Sequence, residues 1–308
     1  MKSLSVLLAV LCVARPVRAD EPATTSPATT SSIDDPGTPG ENEPAPAPAP
    51  KARLMNPTPH VPARPRAKDD GESRLDKKED VVAGGKHWRI KTSQGAVHVW
   101  IPEGYDRETA GTVIYVHGYY TDADGAWRDH ELAKQFKKSH QNAMFVVPDA
   151  PAANEDAVQW PALKDLRRAV TRANLHLPDG PVIVMGHSGA FRTVMQWVDH
   201  RLVEQIILLD AMYAGESAFD EYIGSGKRAD EHKLIVVGAS TAQESAGFAK
   251  KYKFAYAREK MPDSVSGFTR AERNAKLLYN RSQYEHMAIV TSSKVIPVLL
   301  HLTPLKAL

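Results

Sequence analysis

The sequence has only one cysteine, Cys12, and it lies close to the amino terminus. A disulfide or a thiolate metal site needs two or more cysteines, and a cysteine nucleophile would have to lie in the folded part of the chain. Beyond residue 20 we therefore expect no disulfide, no thiolate-bound metal and no catalytic thiol. The fold has to be stabilised by its hydrophobic core.

The chain also lacks an excess of one charge and a long apolar run. Lys and Arg number 39 against 37 Asp and Glu, which gives a net charge of +2. So weak an excess does not predict binding to nucleic acid. No stretch approaches the roughly 18 apolar residues of a membrane-spanning helix, so we expect no integral membrane domain.

The first nineteen residues have the pattern of a secretory signal peptide. Lys2 supplies the positive end, Leu4–Val13 the apolar run, and Val17–Ala19 a small-residue cleavage site. The apolar run is about ten residues long, which suits a signal peptide and is too short for a transmembrane helix. We therefore expect a bacterial protein exported to the periplasm or the extracellular space, with the signal segment either cleaved or kept as an anchor.

Residues 20–80 are rich in Pro, Ala, Ser, Thr and charged residues, and they hold more than half of the 22 prolines of the chain. Proline and alanine alternate from Pro44 to Pro50. A segment of this composition cannot bury a core, so it is predicted to be a disordered linker. The remaining residues, 81–308, are enough for one large domain.

Beyond residue 81 short apolar runs alternate with amphipathic segments, which predicts an α/β fold with a mostly parallel sheet. An opening antiparallel pair is expected at His87–Lys91 and Ala96–Ile101. The buried strands are predicted at Thr112–Val116, Ala143–Val147, Val182–Met185, Gln205–Leu209, Leu234–Val237 and Lys276–Tyr279. The helices are predicted at Gly125–Lys138, Ala162–Leu175, Ala190–Val198, Ala242–Tyr256 and Met287–Leu300.

One short motif stands between a predicted strand and a predicted helix, and it reads Gly186-His187-Ser188-Gly189-Ala190. Serine is a weak nucleophile unless a neighbouring base takes its proton. A sharp turn with small residues on both sides exposes the hydroxyl and lets the following N–H point toward a developing oxyanion. The motif predicts that Ser188 is a nucleophile; the alternative is an ordinary helix N-cap serine.

With this motif the chain resembles the α/β-hydrolase family, whose nucleophile elbow is G-x-S-x-G. Ala190 stands where the last glycine is usual, a departure of one methyl group. The resemblance covers residues 81–308 and implies a mostly parallel sheet with helices on both faces. It also implies that His117-Gly118, which follows an apolar strand, opens an oxyanion hole formed by the N–H groups of Tyr119 and Gly189.

The order of the family, Ser then acid then His, implies His286 as the general base, because it precedes the closing helix. The acid has two candidates. The segment after Leu234–Val237 offers no Asp, whereas Asp210 ends the preceding strand and some family members carry the acid there. Asp210 is preferred and Glu244 is the alternative.

Tyr120 and Tyr213 are expected to contact the substrate. Tyr213 belongs to a short cap at Met212–Glu231, whose size implies a shallow, open cleft. Its other aromatic residues serve either substrate binding or packing.

These residues predict an exported serine hydrolase of the carboxylesterase or lipase type, acting on a small-molecule or cell-envelope ester. The fold does not name a substrate, so two alternatives stay open. One is an exported peptidase or amidase that acts on envelope peptides. The other is a non-catalytic binding protein with a hydrolase fold. The sequence contains neither a metal-ligand spacing nor a phosphate-binding loop motif, so we expect no metal and no other cofactor. It does not indicate an oligomeric state.

Overall fold

The computed structural model describes residues 75–308, so the predicted signal segment and nearly all of the predicted linker lie outside the described residues. The strands are β1 (Lys77–Val82), β2 (Gly85–Thr92), β3 (Gly95–Ile101), β4 (Gly111–Val116), β5 (Ala143–Pro148), β6 (Val182–His187), β7 (Val203–Leu209), β8 (Lys233–Gly238), β9 (Ala255–Arg258) and β10 (Leu277–Arg281). The helices are α1 (Ala123–Asp129), α2 (Leu132–Lys138), α3 (Leu163–Arg172), α4 (Phe191–Val194), α5 (Glu216–Asp220), α6 (Ala242–Lys250), α7 (Arg270–Arg273), α8 (Ala288–Thr291) and α9 (Val295–Leu300).

The strands form one sheet in the order β1-β2-β3-β5-β4-β6-β7-β8-β10-β9. Strands β1 to β3 pair antiparallel with their neighbours, and all pairs from β5 onward in this order are parallel. The carboxyl ends of the parallel strands therefore lie along one edge, where open α/β sheets carry their ligands. The predicted α/β fold, with a mostly parallel central sheet and helices, is confirmed.

Helices cover both faces of the sheet, which explains why its central strands read as unbroken apolar runs. All six residues of β4 are buried. Ile114 and Val116 pack into one core with residues of α3 and α6, while Val113 and Tyr115 pack into the other with residues of α2 and α9. A substitution that changes side-chain volume on either face of such a strand therefore disturbs a close-packed core.

Four of the predicted helices are interrupted or much shorter in the structure, while the one predicted at 162–175 corresponds to α3. The predicted helix 125–138 is divided into α1 and α2 by Glu131, whose φ is +48°, and the closing helix is divided into α8 and α9 near Ser293, at φ +55°. A residue in the left-handed region cannot continue a right-handed helix. The helix predicted at 242–256 ends at Lys250 and is followed by β9, and that at 190–198 contains only α4 between two 3₁₀ turns.

The sheet begins earlier than the predicted domain boundary at residue 81. Strand β1 starts at Lys77. Four of its consecutive residues are exposed, and three of these four are charged. An edge strand of this kind is charged on both faces, so its composition resembles that of the linker. Within residues 75–308 no helix is long and apolar enough to cross a membrane.

Candidate active site

Ser188 lies at a sharp turn between β6 and α4. Its φ is +53°, in the left-handed region, and the chain continues through one 3₁₀ turn into α4. A non-glycine residue held in this region costs about 1–3 kcal/mol, and such strain is concentrated at functional sites. Gly186 is required because a Cβ there would lie 2.8 Å from Val194 Cγ2. The turn leaves the Ser188 side chain half-buried, at the edge of the sheet where the parallel strands end.

The loop after β4 packs directly against this turn. A Cβ on Gly118 would lie 2.7 Å from Ser188 Cβ, and a Cβ on Gly189 would lie 2.4 Å from the ring of Tyr119. Two glycines therefore let the backbones of 118–119 and 188–189 come close together. The N–H of Tyr119 has no acceptor among residues 75–308, whereas that of Tyr120 donates to Ala152 O at 2.8 Å.

Asp210 follows β7 immediately and is fully buried. Its carboxylate accepts hydrogen bonds from the N–H groups of Ala239, Ser240 and Thr241, at 2.8 to 3.0 Å, and from Thr241 Oγ1 at 2.8 Å. Burial raises the pKa of this carboxyl, but the hydrogen bonds from His286 and the three N–H groups lower it by more, so its pKa lies well below the usual range. Asp210 is therefore a fixed negative charge.

His286 lies in the loop between β10 and α8, and its Nδ1 is 2.7 Å from Asp210 Oδ2. Because an ionised carboxylate only accepts, Nδ1 carries the proton and Nε2 of a neutral ring is left as the acceptor. The His286 side chain is 30% exposed, whereas that of Asp210 is fully covered. The ring thus connects a buried charge to the surface, the arrangement expected of a general base.

Tyr213 connects the serine turn with the histidine loop. Its ring lies 6.5 Å from the His286 ring, edge to face, and 6.3 Å from the ring of Phe191. Its hydroxyl interacts with the side chains of Ser188 and Ser240. Burial and then the Asp210 charge raise the pKa of Tyr213, so the phenol stays protonated. Three of the predicted site residues, Ser188, His286 and Tyr213, are thereby brought to one place.

The other aromatic candidates divide between the surface and the core. Tyr120 is 96% exposed at a φ of +65°, with its ring 6.5 Å from that of Tyr119. Phe219 and Tyr222, in the predicted cap, are buried in the core. Of these cap aromatics only Tyr213, 48% exposed, reaches the candidate site, and the rest serve packing.

Glu244 is not the partner of His286. It lies exposed in the first turn of α6, whereas His286 is bonded to Asp210. The segment 238–241 carries no Asp. Its N–H groups instead donate hydrogen bonds to the carboxylate of Asp210, which follows the neighbouring strand β7. Small polar residues between a strand and the start of a helix, here Ser240 and Thr241, are a sequence signal that could have indicated such a hydrogen-bonding segment.

His117 has a structural position. Its ring is fully buried, its Nδ1 donates to Gly118 O at 2.8 Å, and its Nε2 accepts from the N–H of Ala150 at 3.0 Å. Asp149, at the end of β5, accepts a hydrogen bond from the N–H of Ala123. Both residues therefore hold loops around the candidate site.

No known protein-family model matches the chain, and no curated protein matches it. Among solved structures it is similar to a feruloyl esterase module from Clostridium thermocellum, with a TM-score of 0.45 and 13% identity over 74% of this chain and 88% of that one. It is also similar to an S-formylglutathione hydrolase from Agrobacterium tumefaciens, with a TM-score of 0.42 and 12% identity over 74% of this chain and 98% of that one. A third similar structure is an esterase from Pyrobaculum calidifontis, with a TM-score of 0.43 and 15% identity over 74% of this chain and 84% of that one. Such distant likeness carries no conclusion about activity, which has to be argued from the site.

Proposed function

We propose that this protein is a serine hydrolase of the carboxylesterase type, with Ser188 as nucleophile, His286 as general base and Asp210 as the acid that orients the base. The observation that carries the proposal is the 2.7 Å contact between His286 Nδ1 and a fully buried, ionised Asp210. It is accompanied by a strained serine at the same sheet edge. An N-cap serine needs neither feature.

The proposed proton path starts from the contact between Asp210 and His286. Asp210 holds the tautomer of His286 with the proton on Nδ1, so Nε2 takes the proton of Ser188 Oγ as the oxygen attacks the ester carbonyl. The tetrahedral intermediate collapses when His286 returns that proton to the leaving alcohol. A water molecule, deprotonated by the same nitrogen, then hydrolyses the acyl-enzyme.

The oxyanion is assigned to two backbone donors, the N–H groups of Tyr119 and Gly189. Their support is the close approach of the two backbones and the lack of another acceptor for the Tyr119 N–H within residues 75–308. Such donors act most strongly on charge that develops only in the transition state. Tyr120 and Tyr213 are assigned to the substrate because both are exposed apolar surface beside these groups.

The proposed substrate is an ester carried by a small molecule or by the cell envelope. An open site rimmed by Tyr120 and Tyr213 favours a substrate that is reached from outside rather than enclosed. Export is part of the proposal, and it is supported by the signal-like composition of residues 1–19. No observation favours the peptidase or the binding-protein alternative.

The test is labelling of the full chain with a fluorophosphonate probe, which reports an activated serine without knowledge of the substrate. We expect labelling of the wild type, none for Ser188→Ala or His286→Ala, and slow labelling for Asp210→Asn. Ser266→Ala, which removes an exposed serine elsewhere, is the control and should label like the wild type. A folded wild-type protein that is not labelled would contradict serine hydrolysis and favour the binding-protein alternative.

A further inference from the structure

A second histidine lies directly beneath the proposed base. His187, the residue before Ser188, is buried, and its Nε2 lies 3.2 Å from the backbone oxygen of His286. The two imidazole rings are 4.6 Å apart between centroids and inclined at 36°. The sequence motif gives no signal for this contact, because the elbow pattern leaves position 187 unspecified.

The surroundings of His187 fix its protonation. A carbonyl oxygen only accepts, so Nε2 carries the proton and donates to His286 O. Burial above all, and then the neighbouring His286 and His130, lower the pKa of His187 to about 3, while the hydrogen bond to His286 O and the charge of Asp210 act in the opposite direction. His187 is therefore neutral in neutral and in weakly acidic solution. It places no positive charge beside the imidazolium that forms during catalysis.

His187 also contacts the other parts of the site. On one side a Cβ on Gly118 would lie 3.3 Å from His187 Nδ1, so the ring packs against the loop that carries Tyr119. On another side lies the ring of His130, edge-on at 6.1 Å, whose Nδ1 is 2.9 Å from Tyr115 Oη. Burial likewise lowers the pKa of His130, to about 4, so this support is neutral throughout.

We propose that His187 is a positioning residue for the general base. Its Nε2–H holds the main chain of His286, and its neutral ring supports the imidazole, so that Nδ1 stays on Asp210 while Nε2 faces Ser188. The inference rests on the proposed function. His187 cannot itself replace His286, because its Nε2 is already donating and its ring is buried away from the surface.

Two variants separate the hydrogen bond from the ring. His187→Phe keeps a ring and loses the donor, and His187→Gln keeps an amide donor and loses the ring. We expect His187→Phe to lower kcat on a small chromogenic ester by about 10- to 100-fold with little change in KM, since a displacement of about 1 Å is enough for such a loss. His187→Gln should retain part of the kcat that is lost in His187→Phe.

The control is His232, another buried histidine that bonds a backbone oxygen, Tyr222 O at 2.7 Å, and stacks on a ring 4.0 Å away. His232→Phe should lower the melting temperature about as much as His187→Phe and leave kcat unchanged. Equal effects of the two substitutions on kcat would overturn the proposal.

A second readout does not depend on catalysis. The proton on His286 Nδ1, bonded to Asp210, should give a low-field imidazole signal in proton NMR that disappears in Asp210→Asn. We expect His187→Phe to shift or broaden that signal and His232→Phe to leave it unchanged. If the signal responds in this way while the wild type fails to react with the fluorophosphonate, the positioning role stands and the proposed hydrolase function fails. An unchanged signal in His187→Phe would refute the positioning role whatever the activity.

Discussion

At the scale of single residues, the site depends on how one carboxylate is kept ionised inside the protein. Asp210 is buried, and burial alone would favour its neutral form. Four donors from the segment 239–241 and the imidazole of His286 reverse this preference. Asp210 itself has a φ of +49°, so its backbone is held in an unfavourable conformation in the same way as that of Ser188. The charge is thus maintained by local hydrogen bonds that can be removed one at a time.

Thr241→Val removes one of those donors with almost no change in volume. We expect it to lower the free energy of unfolding by about 1–3 kcal/mol, the usual cost of leaving a buried partner short of a hydrogen bond, and to reduce kcat several-fold. Thr193→Val is the matched control, because the buried Thr193 hydroxyl has no partner among residues 75–308. It should be neutral or stabilising. Chemical denaturation and ester kinetics measure both effects, and equal stability losses in the two variants would contradict the role of Thr241.

Glycines provide a second prediction at this scale. In Gly118→Ala the new Cβ would meet Ser188 Cβ at 2.7 Å and His187 O at 3.0 Å, and neither of these can move without displacing the serine turn. We expect an overpacking cost of about 1–3 kcal/mol in stability and a loss of most of the fluorophosphonate reactivity. Gly247→Ala in α6, where nothing lies within 4 Å, should be slightly stabilising and fully reactive. Wild-type reactivity in Gly118→Ala would show that the two loops are not in contact.

At the scale of elements, the strands were predictable and the helix ends were not. Strands β4 to β8 and β10 are buried on both faces, so their apolar runs stand out in the sequence, and each predicted strand lies within the observed one or exceeds it by one residue. Helical spacing continues through Glu131 and Ser293, and only the backbone conformation shows the interruption. Strands β1 and β9 were missed because none of their residues is buried, so neither gives an apolar run.

The same distinction applies to the candidate site. Ser188, Asp210 and His286 could be chosen because each directly follows a strand or precedes a helix in a fixed order along the chain. The donors of segment 239–241 and the support from His187 depend on which strands are neighbours in the sheet, since β7 lies between β6 and β8. Contacts across neighbouring strands have no local pattern in the sequence.

At the scale of the whole molecule, buried neutral histidines couple the stability of the fold to pH. Burial lowers the pKa of His98 and of His130 to about 4 and that of His187 to about 3. His98 joins the sheet to α1, since its Nε2 is 3.0 Å from Asp124 Oδ1 and its Nδ1 is 2.9 Å from His87 Nε2. In the pH range in which the histidines of the unfolded chain take up protons, all three rings are still neutral in the folded protein.

The sign of the resulting pH dependence follows from proton binding. Below about pH 6.5 the unfolded state binds more protons than the folded state, so the free energy of unfolding must fall as the pH is lowered. Between pH 6.5 and pH 5 we expect a loss of about 1–2 kcal/mol for each of the three histidines, or about 5 kcal/mol for the three together. Carboxylates contribute little in this window. Asp210, whose pKa is lowered, adds its own loss only at lower pH.

Denaturant unfolding at several pH values between 5 and 6.5 measures this slope. His98→Gln keeps an amide that can bond Asp124 and cannot take up a proton, so it should reduce the slope by the contribution of one buried histidine. A flat stability profile in the wild type would mean that the buried histidines are protonated in the folded state. Their contacts with Asp124, Tyr115 and His286 would then have to be reinterpreted as those of charged groups.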